Sequence, residues 1–216
     1  MKINEYLIKA KNGILDESTI KEMLGSFGVK VPKGVLVENY PQKINLKYPL
    51  VLKVSDPEVL HKSDVGGVRL GIKNSMELRK EFKAMKNRFP DSKFIIETME
   101  KEGLEIIVGA INDRDFGLAI MLGMGGIYTE LYGDVAFRLI PIDGLDAEEM
   151  IGSVSINRFV EGFRGIKVNK EKLKNLLLKI SEIAYNIGER LNQLDLNPVI
   201  ATEDDLVVVD AKLSLK

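Results

Sequence analysis

The apolar pattern changes character near residue 100, and that change limits the architectures open to the chain. Before it, short elements alternate in type. INEYLIKAKNGILDESTIKEMLGSFG reads as two short helices, the second capped by Asp16 with Glu17 in its first turn and ended by Gly28. VKVPKGVLVEN reads as a strand entered through Pro32, and PLVLKVS as a short apolar strand of the buried type. The polar loop DPEVLHKSDVGG leads to a strand, VRLGI. SMELRKEFKAMKNRF has the spacing of an amphipathic helix capped by Ser75 and stopped by Pro90, and FIIETM is again a buried strand.

From Gly103 the strands lengthen. LEIIVGAIN, FGLAIML and the segment around VAFRLIPI alternate as neighbours in one sheet should. A helical stretch from Ala147 leads through FVEGFRG to EKLKNLLLKISEIAYNIGERL, a strongly amphipathic helix. QLDLNPVI and LVVVDAKL close the chain as two strands separated by the turn-like TEDD. The expectation is an α/β (α+β) chain forming a single domain of residues 1–216, with lobes at about 17–98 and 100–216. A nucleotide fits the cleft of such a two-lobed fold.

Composition removes several function classes. Lys and Arg number 31 against 32 Asp and Glu, so no net field favours nucleic acid or a membrane surface as partner. There is no cysteine, hence no disulfide, thiolate nucleophile or Cys-ligated zinc. No apolar run approaches the roughly 20 residues of a membrane-spanning helix, and the expected location is cytoplasmic. The single histidine, His61, rules out a multi-histidine metal site.

Some side chains sit where their chemistry is out of place. Lys53 lies inside an apolar strand, where an ammonium needs an anion, either a neighbouring carboxylate or a phosphate. His61 has an ordinary pKa of about 6.5 and is partly free base at neutral pH, able to accept a phosphoryl group; a lone histidine in a turn reads equally as a surface residue. Gly66 and Gly67 make a tight turn or let the backbone approach a phosphate. Glu97 ends one apolar strand and Glu105 lies within the next; either faces solvent or accepts hydrogen bonds from hydroxyls such as those of a ribose. The backbone from Glu97 to Met99 would give adenine its donor–acceptor edge if this is the hinge. Arg138, in an apolar strand, suits an oxyanion or an ion pair with Asp134. Asn197 and Asp210, on consecutive C-terminal strands, offer the hard oxygens that Mg²⁺ prefers.

Taken in order, VLKVSDPEVLHKSDVGGVRLGI, IIETM with GLEIIVGAINDRDFG, GGIYTELYGDVAFRLIPI, GFRG, and LDLNPVI with VVVDAKL resemble the ATP-grasp subunit of the NDP-forming acyl-CoA synthetases. These are relatives of the succinyl-CoA synthetase beta chain. The likeness covers essentially the whole chain. It extends to the short beta subunits of archaeal ADP-forming acetate–CoA ligases, in which this module is a separate polypeptide. The resemblance implies an ATP-grasp fold with Mg²⁺ and ATP or ADP in the cleft between two lobes. It implies that Lys53 binds phosphate and that His61, Lys62 and Ser63 form the loop over the nucleotide, His61 acting as phosphate carrier. Glu97 and Met99 match the adenine hinge, Glu105 the ribose-binding acid, and Asn197 and Asp210 the Mg²⁺ ligands. Arg138 would neutralise charge on the phosphoryl group in flight, and Asp195 stands where the family has a glutamate.

The implied reaction joins acyl-CoA, ADP and phosphate to give acid, CoA and ATP. The implied partner is an alpha subunit carrying the CoA-binding domain and the primary phosphohistidine, with two copies of each chain. Two other readings are a stand-alone ATP-grasp carboxylate–amine ligase and a nucleotide-binding module without catalysis.

Overall fold

The computed structural model describes residues 2–56, 59, 62–125 and 133–216. By its internal contacts the chain divides into two compact units. The smaller comprises Asp16–Ser18 and Pro32–Glu100, and the larger Met1–Leu15, Thr19–Val31 and Lys101–Lys216.

In the smaller unit four strands, β2 (Gly34–Val37), β3 (Leu50–Ser55), β4 (Val68–Ile72) and β5 (Lys93–Thr98), form an antiparallel sheet in the order β2-β5-β3-β4. Strand β3 is interior, and each of its residues is buried. Alternation sorts its side chains. Leu50, Leu52 and Val54 join Phe94 and Ile96 of β5 in a core closed by Leu78, Phe82 and Met85 of helix α3 (Ser75–Arg88). Val51 and Lys53, with Ile95 and Glu97, occupy the other face. Helix α3 begins one residue earlier than Ser75 capping would place it. Asn74 is the N-cap, its Oδ1 accepting the Glu77 N–H at 2.9 Å, because an asparagine in extended backbone reaches the same orphan donor. At the other end Phe89, before Pro90, leaves the helical region.

In the larger unit the described residues form a seven-stranded antiparallel sheet. Its order is β1 (Ile14–Leu15), β11 (Ala211–Leu215), β9 (Leu191–Ala201), β6 (Leu104–Asp113), β7 (Gly117–Met124), β8 (Val135–Leu139), with β10 (Leu206–Val208) on β9. The expected adjacency of β6, β7 and β8 holds, in continuous register. One face carries Ile106, Val108 and Ala110 of β6, Ile120 and Leu122 of β7, and Leu194, Leu196 and Val199 of β9. These pack in one core with Leu173, Leu177, Ile180 and Ala184 of helix α6 (Lys170–Ile187).

Helix α2 (Glu17–Ser26) adds Ile20, Met23 and Leu24 to that core. It ends as its sequence indicates: Gly28 takes φ +72°, its N–H bonds the Gly25 carbonyl, and the Val29 N–H bonds that of Leu24. Helices α1 (Lys2–Leu7), α4 (Gly144–Ser153) and α5 (Ile156–Val160) complete the described helices.

Two further expectations are corrected. Helix α4 starts at Gly144, not Ala147, because Asp143 and Asp146 form a reciprocal capping box ahead of it. LVVVDAKL is not one strand: it breaks at Val209–Asp210 into β10 and β11, both pairing with β9. The Val209 N–H donates to the Pro198 carbonyl at 3.2 Å, and its own carbonyl accepts from Lys21 Nζ at 2.9 Å, so side-chain and irregular bonds replace the ladder there.

Candidate functional site

Four charged side chains of the smaller unit are buried together: Glu17 (3% exposed), Lys53 (6%), Lys62 (9%) and Glu97 (2%). Lys53 Nζ lies 2.6 Å from Glu97 Oε1 and 3.3 Å from Glu17 Oε1, and Lys62 Nζ pairs with Glu17 Oε2. Two ammonium groups thus meet two carboxylates, the arrangement in which buried charge is tolerated.

The elements dictate the grouping. Lys53 and Glu97 share a sheet face on adjacent strands, with Lys53 opposite Ile95 and Glu97 opposite Val51. Lys62 arrives through the turn after it, which is clasped to β3. The Gly67 N–H bonds the Lys62 carbonyl at 2.5 Å, and the Val54 N–H bonds the Gly67 carbonyl at 2.8 Å. A Cβ on Gly67 would stand 2.6 Å from Val54 Cγ1 and 3.0 Å from the Lys62 oxygen, so the residue is glycine for close approach. Of the two readings of the glycine pair, the tight turn is the one the described residues display.

Ser63 is exposed in that turn, its carbonyl accepting from the Gly66 N–H at 3.0 Å. His61 lies outside the described residues. Met99 is 37% exposed, but its N–H donates to the Pro49 carbonyl at 3.0 Å, and the Thr98 N–H to that of Lys33 at 2.9 Å. The hinge backbone donors are therefore engaged within the unit.

In the larger unit, strand alternation places Glu105 on the sheet face opposite the α6 core, with Ile107 and Gly109. Asp195 lies across from Gly109 on β6 and from Lys212 on β11, on this same face. Asn197 is two residues further along β9, and Asp210 immediately precedes β11, whose Ala211 pairs with Leu196. Asn197 is exposed and Asp210 half-buried, one Asp210 oxygen accepting the Ala211 N–H at 3.1 Å. Burial raises the Asp195 carboxyl above its ordinary pKa, with the nearby Lys212 ammonium pulling it partly back.

Arg138 is not brought to this set. It pairs in register with Ile120, a core-face residue, and its guanidinium bonds Glu149 of α4 at 3.2 Å and the Phe137 carbonyl at 2.9 Å. Nor does it pair with Asp134, whose two oxygens accept the Ser155 N–H at 3.1 and 3.0 Å.

Among the described residues no three acidic or histidine side chains converge as a metal cage. An amide and a carboxylate on adjacent strands do fit a Mg²⁺ ion that takes its remaining oxygens from phosphate and water. A cavity of about 210 Å³ in the larger unit contains none of the residues marked by the sequence. Its lysines are already tied, Lys30 to Asp205, Lys172 to the Asp204 carbonyl and Lys179 to the Gly28 carbonyl.

Glu17 and Lys21 escaped the sequence reading. Glu17 read as a first-turn helix acid, and nothing in the sequence shows that it is buried against two lysines 36 and 45 residues away.

Comparison with known proteins places these features in context. A family model described as an ATP-grasp domain matches residues 7–215. The beta subunit of acetate–CoA ligase [ADP-forming] I of Pyrococcus furiosus is 39% identical over 219 residues, covering 96% of this chain and 94% of that one. A 4-hydroxybutyrate–CoA ligase [ADP-forming] of Nitrosopumilus maritimus is 35% identical; the match covers 94% of this chain but 30% of that longer protein. The dinucleotide-forming acetyl-coenzyme A synthetase 1 of Ca. Korarchaeum cryptofilum, solved with coenzyme A, Ca-AMPCP and HgCl+, superposes with a TM-score of 0.91 at 33% identity, each chain covered in full. The same protein has been solved with coenzyme A and Mg-AMPPCP, its phosphohistidine segment pointing towards the nucleotide binding site; this match has a TM-score of 0.86 at 34% identity, covering 99% of this chain and 100% of that one.

Proposed function

Because this chain belongs to the ATP-grasp domain family, we propose that it is the beta, nucleotide-binding subunit of an ADP-forming acyl–CoA ligase. It acts with a separate alpha subunit, as the beta-subunit relatives do by name. The net reaction is acyl-CoA, ADP and phosphate giving acid, CoA and ATP. This chain takes the last step, in which a phosphoryl group passes from a histidine to ADP. The P–N bond breaks with its electron pair returning to the imidazole, and a P–O bond forms to the terminal phosphate oxygen of ADP.

The observation that carries this reading is the placement of Glu105 on the face of the larger sheet away from the helices, with Asn197 in β9 and Asp210 immediately before β11, the strand that pairs with β9. In the reading, Glu105 accepts from the ribose hydroxyls and Asn197 with Asp210 holds Mg²⁺. That ion, when bound, supplies charge neutralisation on the phosphates. Lys53 and Lys62 are the phosphate-binding cations of the smaller unit, worth most where water is excluded. Ser63 is assigned to the loop over the nucleotide, and the Glu97–Met99 segment to the wall beside adenine, its Thr98 and Met99 N–H groups being already engaged. His61 is assigned the phosphoryl-carrier role. Arg138, on the helix-covered face, has no part in it. The reading also assigns the chain to the cytoplasm and to an assembly of two alpha and two beta chains.

The test is to combine the chain with its alpha partner and supply acetyl phosphate labelled at phosphorus. Acid-labile, base-stable label should appear on this chain, should chase into ATP on adding Mg-ADP, and should be lost in His61→Asn. ATP formation at the full rate by His61→Asn would remove the carrier role. Product formation by this chain alone would identify a stand-alone ligase instead.

A further inference from the structure

Resting on the nucleotide-binding role proposed above, we infer that Glu17 is a positioning residue for the phosphate-binding lysines, its carboxylate tying Lys62 to Lys53. The two oxygens divide the task. Oε1 accepts from Lys53 at 3.3 Å and Oε2 from Lys62, and Glu17 is almost wholly buried as it does so. The lysines come from different local structures, Lys53 from the interior strand β3 and Lys62 from the turn that follows it.

Glu97 meets Lys53 at 2.6 Å from the same sheet face. Glu17 joins the two cations, one oxygen to each. Two ammonium groups in a dry setting repel, and a shared carboxylate offsets that repulsion and fixes their relation. An ammonium has three N–H donors, and Lys53 meets two carboxylates at once.

A cluster serving stability alone has a cheaper alternative in apolar residues of similar volume, so retaining four buried charges points to use of the charges themselves. Pre-set cations lower the cost of ordering two long side chains when the nucleotide arrives. Loss of Glu17 should therefore appear in nucleotide affinity more than in turnover.

The experiment uses the wild-type chain and the variants Glu17→Gln, Lys62→Met and the double variant, each assembled with the alpha partner. Equilibrium binding of Mg-ADP, KM for ADP, kcat and thermal midpoint are measured for each. The expected result is a rise of about tenfold or more in both Kd and KM for ADP in Glu17→Gln, with kcat within about threefold. Lys62→Met removes a phosphate-binding cation as well as the linkage, so it should lose at least as much affinity as Glu17→Gln, and the double variant should be no worse than Lys62→Met alone. Unchanged affinity in Glu17→Gln, with only the thermal midpoint lowered, would show a structural role and overturn the inference. Tighter binding would overturn it too, by showing that the carboxylate competes with phosphate. Failure of the wild-type assembly to bind Mg-ADP would remove the nucleotide reading and this inference with it, whereas binding by the wild type with Glu17→Gln indistinguishable removes the inference alone.

Discussion

Lys53 Nζ stands 2.6 Å from Glu97 Oε1, the two side chains rising from adjacent strands on the sheet face opposite the α3 core. Both are nearly inaccessible, so neither charge is compensated by bulk water. The pair meets the physical demand of a lysine in an apolar strand, that its ammonium find an anion.

Removing Lys53 takes away the ammonium that Glu97 and one Glu17 oxygen meet. Lys53→Met should therefore cost on the order of 3–5 kcal/mol of stability as well as nucleotide binding. Adding Glu97→Gln to that variant should restore part of the stability but none of the binding. Denaturant titrations of the two single variants and the double variant measure the coupling directly.

The turn that delivers Lys62 is expected to be intolerant of a side chain. Gly67→Ala would drive a Cβ to 2.6 Å from Val54 Cγ1, in a core with no slack. A cost of about 1–3 kcal/mol is expected, read from the shift in the urea midpoint. Weaker Mg-ADP binding should accompany it, since the same turn carries Lys62.

Asp195 gives a pH signature. Burial raises its native-state pKa, so the native state holds this proton more tightly than the unfolded chain. Stability from this group is thus present at low pH and falls as pH rises from the ordinary carboxylate range through the raised native value. Asp195→Asn should be more stable than wild type at neutral pH, with the difference shrinking towards about pH 4. Urea unfolding across that range checks the sign; an advantage that grows on acidification would contradict it.

The proposed metal ligands predict a separable effect. Asp210→Asn and Asn197→Ala change groups that are half-buried and exposed respectively. The thermal midpoint should move little, while the Mg²⁺ concentration for half-maximal activity should rise by about 10–100-fold. Equal loss of stability and Mg²⁺ response would point to a structural role.

Much of the fold was legible because it follows from local pattern. The alternation in β6 to β8, the apolar run of β3, the periodicity of α3 and α6 and the Gly28 stop each depend on a few contiguous residues. The errors have local causes as well. Asn74 and Ser75 are both good caps one residue apart, and Asp143 caps α4 from outside the apolar pattern used to find it. The break at Val209–Asp210 was hidden because β10 and β11 pair with the same long strand, leaving the apolar run nearly continuous.

The site was legible residue by residue but not as a network. Lys53 stood out because an ammonium in an apolar strand needs explaining. Arg138 stood out for the same reason, yet alternation sends it to the helix-covered face and Glu149. That outcome depends on which strand face the helices cover, a tertiary fact. Glu17 did not stand out at all, since an acid in a first helical turn is expected on helix-dipole grounds and needs no other cause.

The most direct test of the account is a calorimetric titration of the chain, assembled with its alpha partner, with Mg-ADP. The account predicts one nucleotide bound per beta chain, with affinity lowered at least about 30-fold by Lys53→Met in the smaller unit and by Asp210→Asn in the larger one. No heat of binding with the wild type, or affinity untouched by both substitutions, would contradict it.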